Sequence, residues 1–254
     1  MIKEILIVFT FLTRIPLKIN FIYGEEDMGK TSRYFPIVGL VIGLAVAAVL
    51  YAFSFIDYQL AAILGLLTGV LLTGGLHLDG FIDTADGIFS ARTRERILEI
   101  MKDSHVGAHG VTAVIVFLLL KFVLYGVIGQ NHLNIFWIIP MAFIFSRWMM
   151  VFSLLYFPGA RKEGLGHIFM TYQRKWDFPL ASILTLLPII IFQKWLTLIP
   201  FVLAFFIMWY FCKSIAKILG GLTGDVCGAV AELSEVVFIL AYLITEYFFM
   251  TMGS

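Results

Sequence analysis

The 254-residue sequence predicts an all-α, polytopic integral membrane helix bundle, with about seven transmembrane helices and its long loops on one side. Three observations carry that reading. Hydrophobic residues make up 61% of the chain and charged ones 14%, against about 45–50% and about 25% in a soluble domain, and mean hydropathy is +0.96. The apolar residues fall into runs close to the about 20 residues that a helix needs to cross a bilayer. The basic residues collect in alternate connections, as they do in multi-pass membrane proteins. With Lys+Arg 18 against Asp+Glu 17 the net charge is +1, which leaves no basic surplus for nucleic-acid phosphates and excludes that class of partner.

The whole chain, 1–254, reads as a single integral membrane domain. Residues 1–13 carry too short an apolar run to span, from Ile5 to Leu12, and no cleavage site follows, so an interfacial or partly inserted helix is expected. Spans are expected at 34–56, 58–76, 111–129, 133–157, 179–192, 195–212 and 226–252, the fifth being short. Gly39, Gly43, Pro140, Pro188 and Pro200 are tolerable inside them where neighbouring helices satisfy the backbone. The segment before the first span and the connections 77–110, 158–178 and 213–224 hold nearly all of the 18 basic residues, whereas those near Asp57, at 130–134 and at Gln193-Lys194 hold almost none. The positive-inside rule then places the N-terminus and the long loops in the cytoplasm and the C-terminus outside. The expected location is the inner cytoplasmic membrane, with an active site facing the cytoplasm. Lys121 and Arg147 fall within spans; each is read equally as snorkelling to the interface or as binding an anionic substrate. Cys212 and Cys227 lack the spacing of a zinc site or disulfide framework.

Chemistry concentrates at 77–110, the main catalytic segment. Asp79, Asp83 and Asp86 are spaced i, i+4, i+7. If 76–85 continues the second span as a helix, the three carboxylates share one face where the span leaves the membrane. Such a cluster repels itself unless a cation sits among it, and an all-oxygen set favours a hard ion such as Mg²⁺, which takes one or two carboxylates plus substrate phosphate oxygens. The competing reading is a solvated acidic helix end. Arg92 and Arg96, read as sharing a helix face, can clamp phosphate oxygens, with Lys102 beside them. Arg94 is expected to meet anionic headgroups. Asp103, at the end of that helix, is a candidate fourth ligand or base. His105 and His109 are interrupted by glycines and do not form a helical zinc pair.

Asp83-Thr-Ala-Asp86-Gly87 followed by Ala91-Arg92 resembles the DxxDGxxAR core of CDP-alcohol phosphotransferases, with one extra residue before the Ala-Arg. A fuller match runs along nearly the whole chain. FLTRIP near the N-terminus, RYFPIVGLVIG at 33–43, TGGLHLDGFIDTADGIFSARTRERILEIMKDSHVGAHG at 73–110, SRW at 146–148, EGLGHIF at 163–169 and LGGLTGDVCGAVAELSEVVFIL at 219–240 together resemble the cobalamin synthase family. The resemblance implies transfer of the cobinamide phosphate of adenosylcobinamide-GDP to α-ribazole or its 5'-phosphate, with GMP leaving and Mg²⁺ required. On these residues it implies Asp79, Asp83 and Asp86 around the metal, Arg92 on the leaving phosphate and Asp103 at the attacking hydroxyl. In the Gly-rich segment at 219–235, Gly221, Thr223 and Asp225 open the last span, where backbone amides would hold an anion or the glycines would simply turn and pack. Asp225 and Glu232, i, i+7, are expected to face the bundle interior with Glu235 nearby, as further ligands. Gly164-Leu-Gly166-His167 reads as a second substrate loop, with His167 read equally as a plain polar loop residue. Two other readings stay open: a CDP-alcohol phosphotransferase, and a transporter with Lys121, Arg147 and Glu232 along its pathway. No internal repeat supports the latter. A homo-oligomer is left open.

Overall fold

The computed structural model describes residues 2–18, 20–130 and 134–252. Twelve α-helices are found among them: α1 (Ile2–Leu12), α2 (Glu25–Gly29), α3 (Phe35–Ser54), α4 (Tyr58–Thr73), α5 (Leu76–Phe89), α6 (Arg94–Ile100), α7 (Ala108–Gln130), α8 (Ile135–Tyr156), α9 (Leu165–Tyr172), α10 (Asp177–Ile191), α11 (Leu198–Leu219) and α12 (Gly224–Met252). Five of these, including their continuous extensions, are long and apolar enough to cross a membrane: α3, α7, α8, α11 and α12. With α4 and the shorter α10, every expected apolar run is a helix, and the chain is a multi-pass membrane protein. The 131–133 part of the expected connection at 130–134 lies outside the described residues. At 11 residues and about 1.5 Å per residue, α1 is too short to span and packs Ile7, Val8 and Leu12 inward.

The second span does not continue as expected. It ends at Thr73, and the chain turns by 93° into α5. The cause is local: Gly74 and Gly75 both take left-handed backbone conformations, φ 63° and 73°, that suit glycine and end a helix. At its other end α4 is capped by Asp57, whose side chain accepts from the backbone N–H groups of Gln59 (2.9 Å) and Leu60 (2.8 Å). The turn carries α5 away from α4 and lays it against α7 and α12.

The innermost helix is α8, buried along nearly its whole length. Gly39 and Gly43 on α3 allow it a close approach: a Cβ at Gly39 would strike the Phe143 carbonyl, and one at Gly43 would sit 2.6 Å from Pro140 Cα. This small-residue contact is typical of membrane helices. The same device joins α5 to α12, because a Cβ on Gly80 would lie 2.6 Å from the Asp225 carbonyl oxygen. Gly80→Ala is therefore expected to push α5 away from α12 and to cost about 1–3 kcal/mol. Thermal unfolding of the purified variant should show a lowered midpoint and a matching loss of activity; an unchanged midpoint would contradict this packing account.

Candidate active site

The connections grouped on one side by charge do meet. The Arg94 side chain, expected to meet headgroups, instead donates from Nε to the Leu219 carbonyl (2.6 Å) at the end of α11. Arg161 donates to the Leu98 carbonyl (2.9 Å) on α6, and Lys102 pairs with Glu163. Residues 158–160 lie alongside 222, with Leu222 N–H donating to the Pro158 carbonyl and Ala160 N–H to the Leu222 carbonyl, both at 2.8 Å. Gly221 makes that contact possible, since a Cβ there would come within 2.5 Å of the Pro158 oxygen.

A cavity of about 290 Å³ opens where α5, α9 and the start of α12 converge. Its polar side is formed by Asp79, Arg161, Thr223 and Asp225. Thr223 caps α12 by accepting from Val226 N–H (3.2 Å), which directs the first turn of that helix toward the cavity. Arg161 Nη1 donates to Asp225 (3.0 Å), while its Nε is buried without a hydrogen-bond partner. Asp83 is half-buried one turn beyond Asp79. Burial, reinforced by the charges of Asp79, Asp225 and Asp86, pushes its carboxyl up to about 7. Asp79, Asp83 and Asp225 thus make an anionic group with one neighbouring guanidinium. Among the described residues no three His, Cys, Asp or Glu side chains converge as a complete metal cage. An all-oxygen set of this kind still fits Mg²⁺, which keeps waters and takes substrate oxygens as well as one or two carboxylates.

The remaining expected site residues are distributed differently. Asp86 is buried, and its two oxygens accept from Gly107 N–H (2.7 Å) and Gly110 N–H (2.8 Å), tying the end of α5 to the start of α7. Both glycines are required by that contact, as a Cβ at either would collide with the carboxylate. Arg92 lies exposed in the turn before α6, so it does not share a helix face with Arg96, which pairs with Glu99 (2.8 Å) in solvent. Asp103 is exposed and accepts from His105 N–H (3.0 Å) and pairs with its Nδ1 (2.7 Å). Those bonds hold its carboxyl below the usual range, which weakens it as a base.

Asp225 and Glu232 separate. Asp225 lies at the cavity, while Glu232 and Glu235 lie deeper, paired with Lys121 at 3.0 and 2.6 Å. Arg147 is wholly buried; its Nη1 bonds Glu235 (3.1 Å) and Ser146 (2.7 Å), its Nε and Nη2 are without a hydrogen-bond partner, and it does not line the cavity. His167 lines the cavity, as the second loop was expected to, and Cys212 and Cys227 are free and buried. The residue that the sequence did not single out is Arg161, one of the basic residues of the 158–178 connection.

The family model described as cobalamin-5-phosphate synthase matches residues 4–243. A protein of Desulfitobacterium hafniense (strain Y51) named adenosylcobinamide-GDP ribazoletransferase is 40% identical over 243 residues, covering 94% of this chain and 95% of the relative. Proteins of the same name are 39% identical in Desulforamulus reducens, covering 92% and 94%, and 35% identical in Fusobacterium nucleatum subsp. nucleatum, covering 97% and 99%. No solved structure matches.

Proposed function

The chain belongs to the cobalamin-5-phosphate synthase family, and on that premise we propose that it acts as an adenosylcobinamide-GDP ribazoletransferase at the cytoplasmic face of the inner membrane. In the reaction a ribose hydroxyl oxygen of α-ribazole, or of its 5'-phosphate, forms a bond to the phosphorus that carries cobinamide. The bond from that phosphorus to the bridging oxygen of the pyrophosphate breaks, GMP leaves with the bridging oxygen, and the hydroxyl proton is released. Catalysis of such a substitution is mostly positioning and charge neutralisation. The observation that carries the assignment is the convergence of Asp79, Asp225 and Arg161 on one cavity built from three separate segments of the chain, with Asp83 close enough to feel all three charges.

One or two of the carboxylates of Asp79, Asp83 and Asp225 would hold Mg²⁺ together with substrate oxygens and waters, and the ion when bound supplies neutralisation of the pyrophosphate charge. Arg161 offers its unpartnered Nε to a phosphate oxygen, a role first given to Arg92. Asp86 acts indirectly, by fixing α5 against α7. The basic loops on the same side as the cavity support the cytoplasmic orientation. Purified protein mixed with adenosylcobinamide-GDP and α-ribazole should release GMP and form the joined product only when Mg²⁺ is present. GMP release without the joined product, or transfer from a CDP-activated lipid instead, would refute the reading.

The Asp83 carboxyl gives a pH dependence with a defined sign. Below about 7 it holds a proton and is a poor metal ligand; above that it is ionised. The Mg²⁺ concentration for half-maximal rate is expected to rise roughly tenfold per pH unit as pH falls below 7 and to level off above it, because metal and proton compete. A value constant from pH 6 to 8 would remove Asp83 from the metal site.

A further inference from the structure

The cavity has two kinds of lining residue. Besides Asp79, Arg161 and Asp225 its lining includes an aromatic group in which Phe169 packs against Phe11 and Phe35, each pair with ring centroids 5.3 Å apart. The lining also includes His77, which is only 2% exposed and whose Nε2 is buried without a hydrogen-bond partner. A buried imidazole nitrogen with no partner is costly and is normally satisfied by protein, water or ligand. The cavity volume of about 290 Å³ is at the small end for ligand pockets, about 300–1,000 Å³. That is room for a nucleoside with a flat two-ring base, and far too little for a corrin macrocycle.

We propose that this cavity is the acceptor site: the apolar base of α-ribazole lies against Phe11 and Phe169, and His77 hydrogen-bonds a polar atom of the nucleoside. The inference rests on the transferase reading above and adds to it which of the two substrates is enclosed. The nucleoside's ribose then faces Asp79, Arg161 and Asp225, where the phosphorus is attacked, and the bulky cobinamide stays outside the cavity mouth. Neither the aromatic wall nor His77 has any part in holding the pyrophosphate, so the two substrates should respond separately to changes there.

The test uses the full-length protein in detergent, with each substrate varied at saturation of the other. His77→Leu is expected to raise KM for α-ribazole about tenfold, the loss of one hydrogen bond, and to leave KM for adenosylcobinamide-GDP within about twofold. His77→Gln, which keeps a donor and an acceptor, should recover most of the loss. Leu165→Trp alters a cavity-lining residue that is 46% exposed, so it tests the site without disturbing the core, and the same one-substrate effect is expected. An effect on adenosylcobinamide-GDP, an equal effect on both substrates, or no effect of either variant would overturn the proposal. If His77→Leu fails to fold, Leu165→Trp decides alone. Wild-type protein that makes no joined product would refute the transferase reading itself, an outcome distinct from a misplaced acceptor.

Discussion

Asp83→Asn is expected to lower the transfer rate by about 10²–10³ or more in protein that still folds, the range lost when one preorganised electrostatic group is removed from a charged transition state. The substitution keeps the size of the side chain but removes the negative charge nearest the centre of the Asp79, Asp83 and Asp225 group. It also relieves repulsion among those carboxylates, so the variant should be at least as stable as the parent. Higher stability with lost activity is the signature of a residue held in place for function. Asp79→Asn should behave similarly, because Asp79 is exposed at the cavity edge and supports no packing. Arg92→Ala, in an exposed turn, is expected to retain most activity. Near-normal turnover of Asp83→Asn, measured as joined product per enzyme under saturating substrates, would contradict the assignment.

Glu235→Gln should have the largest effect on stability. Lys121, Arg147, Glu232 and Glu235 form a buried cluster of two cations and two anions linking α7, α8 and α12. Glu235 is the shared member, bonding both cations through separate oxygens at 1% exposure. Neutralising it leaves two buried cations facing one anion, and breaking a buried pair in this way costs about 3–5 kcal/mol. Glu232→Gln should cost less, since Lys121 keeps its 2.6 Å bond to Glu235. Thermal unfolding in detergent should rank the two variants in that order. A Glu235→Gln midpoint equal to the parent's would show that the cluster adds nothing to stability.

The features legible in the sequence were those set by short-range pattern. Each expected apolar run is a helix, because about 20 consecutive apolar residues have no other stable arrangement in lipid. The Asp79 and Asp83 spacing placed two carboxylates on one helix face. The misses share a cause, namely partners distant in the chain. Arg161 looked like any loop cation because Asp225 is 64 residues away. Asp86 looked like a third metal ligand because its donors, Gly107 and Gly110, lie more than 20 residues on and appear in sequence only as glycines beside His105 and His109. The 93° turn was hidden by continuous hydropathy, although the adjacent glycines 74 and 75 marked it. Arg94 and Arg92 exchanged importance because α6 begins at Arg94, which leaves Arg92 outside the helix and lets Arg94 reach the end of α11. Glu232 shares a helix face with Asp225 but lies seven residues deeper, about 10 Å along the axis, where Lys121 claims it.

The central claim is that phosphoryl transfer takes place at the junction of α5, α9 and α12. The measurement that tests it most directly is a structure of the protein with adenosylcobinamide-GDP and Mg²⁺ bound. The pyrophosphate should lie beside Arg161, with the metal between it and Asp79, Asp83 and Asp225. A pyrophosphate held by Arg92 and Arg96, away from Arg161 and the three aspartates, would contradict it.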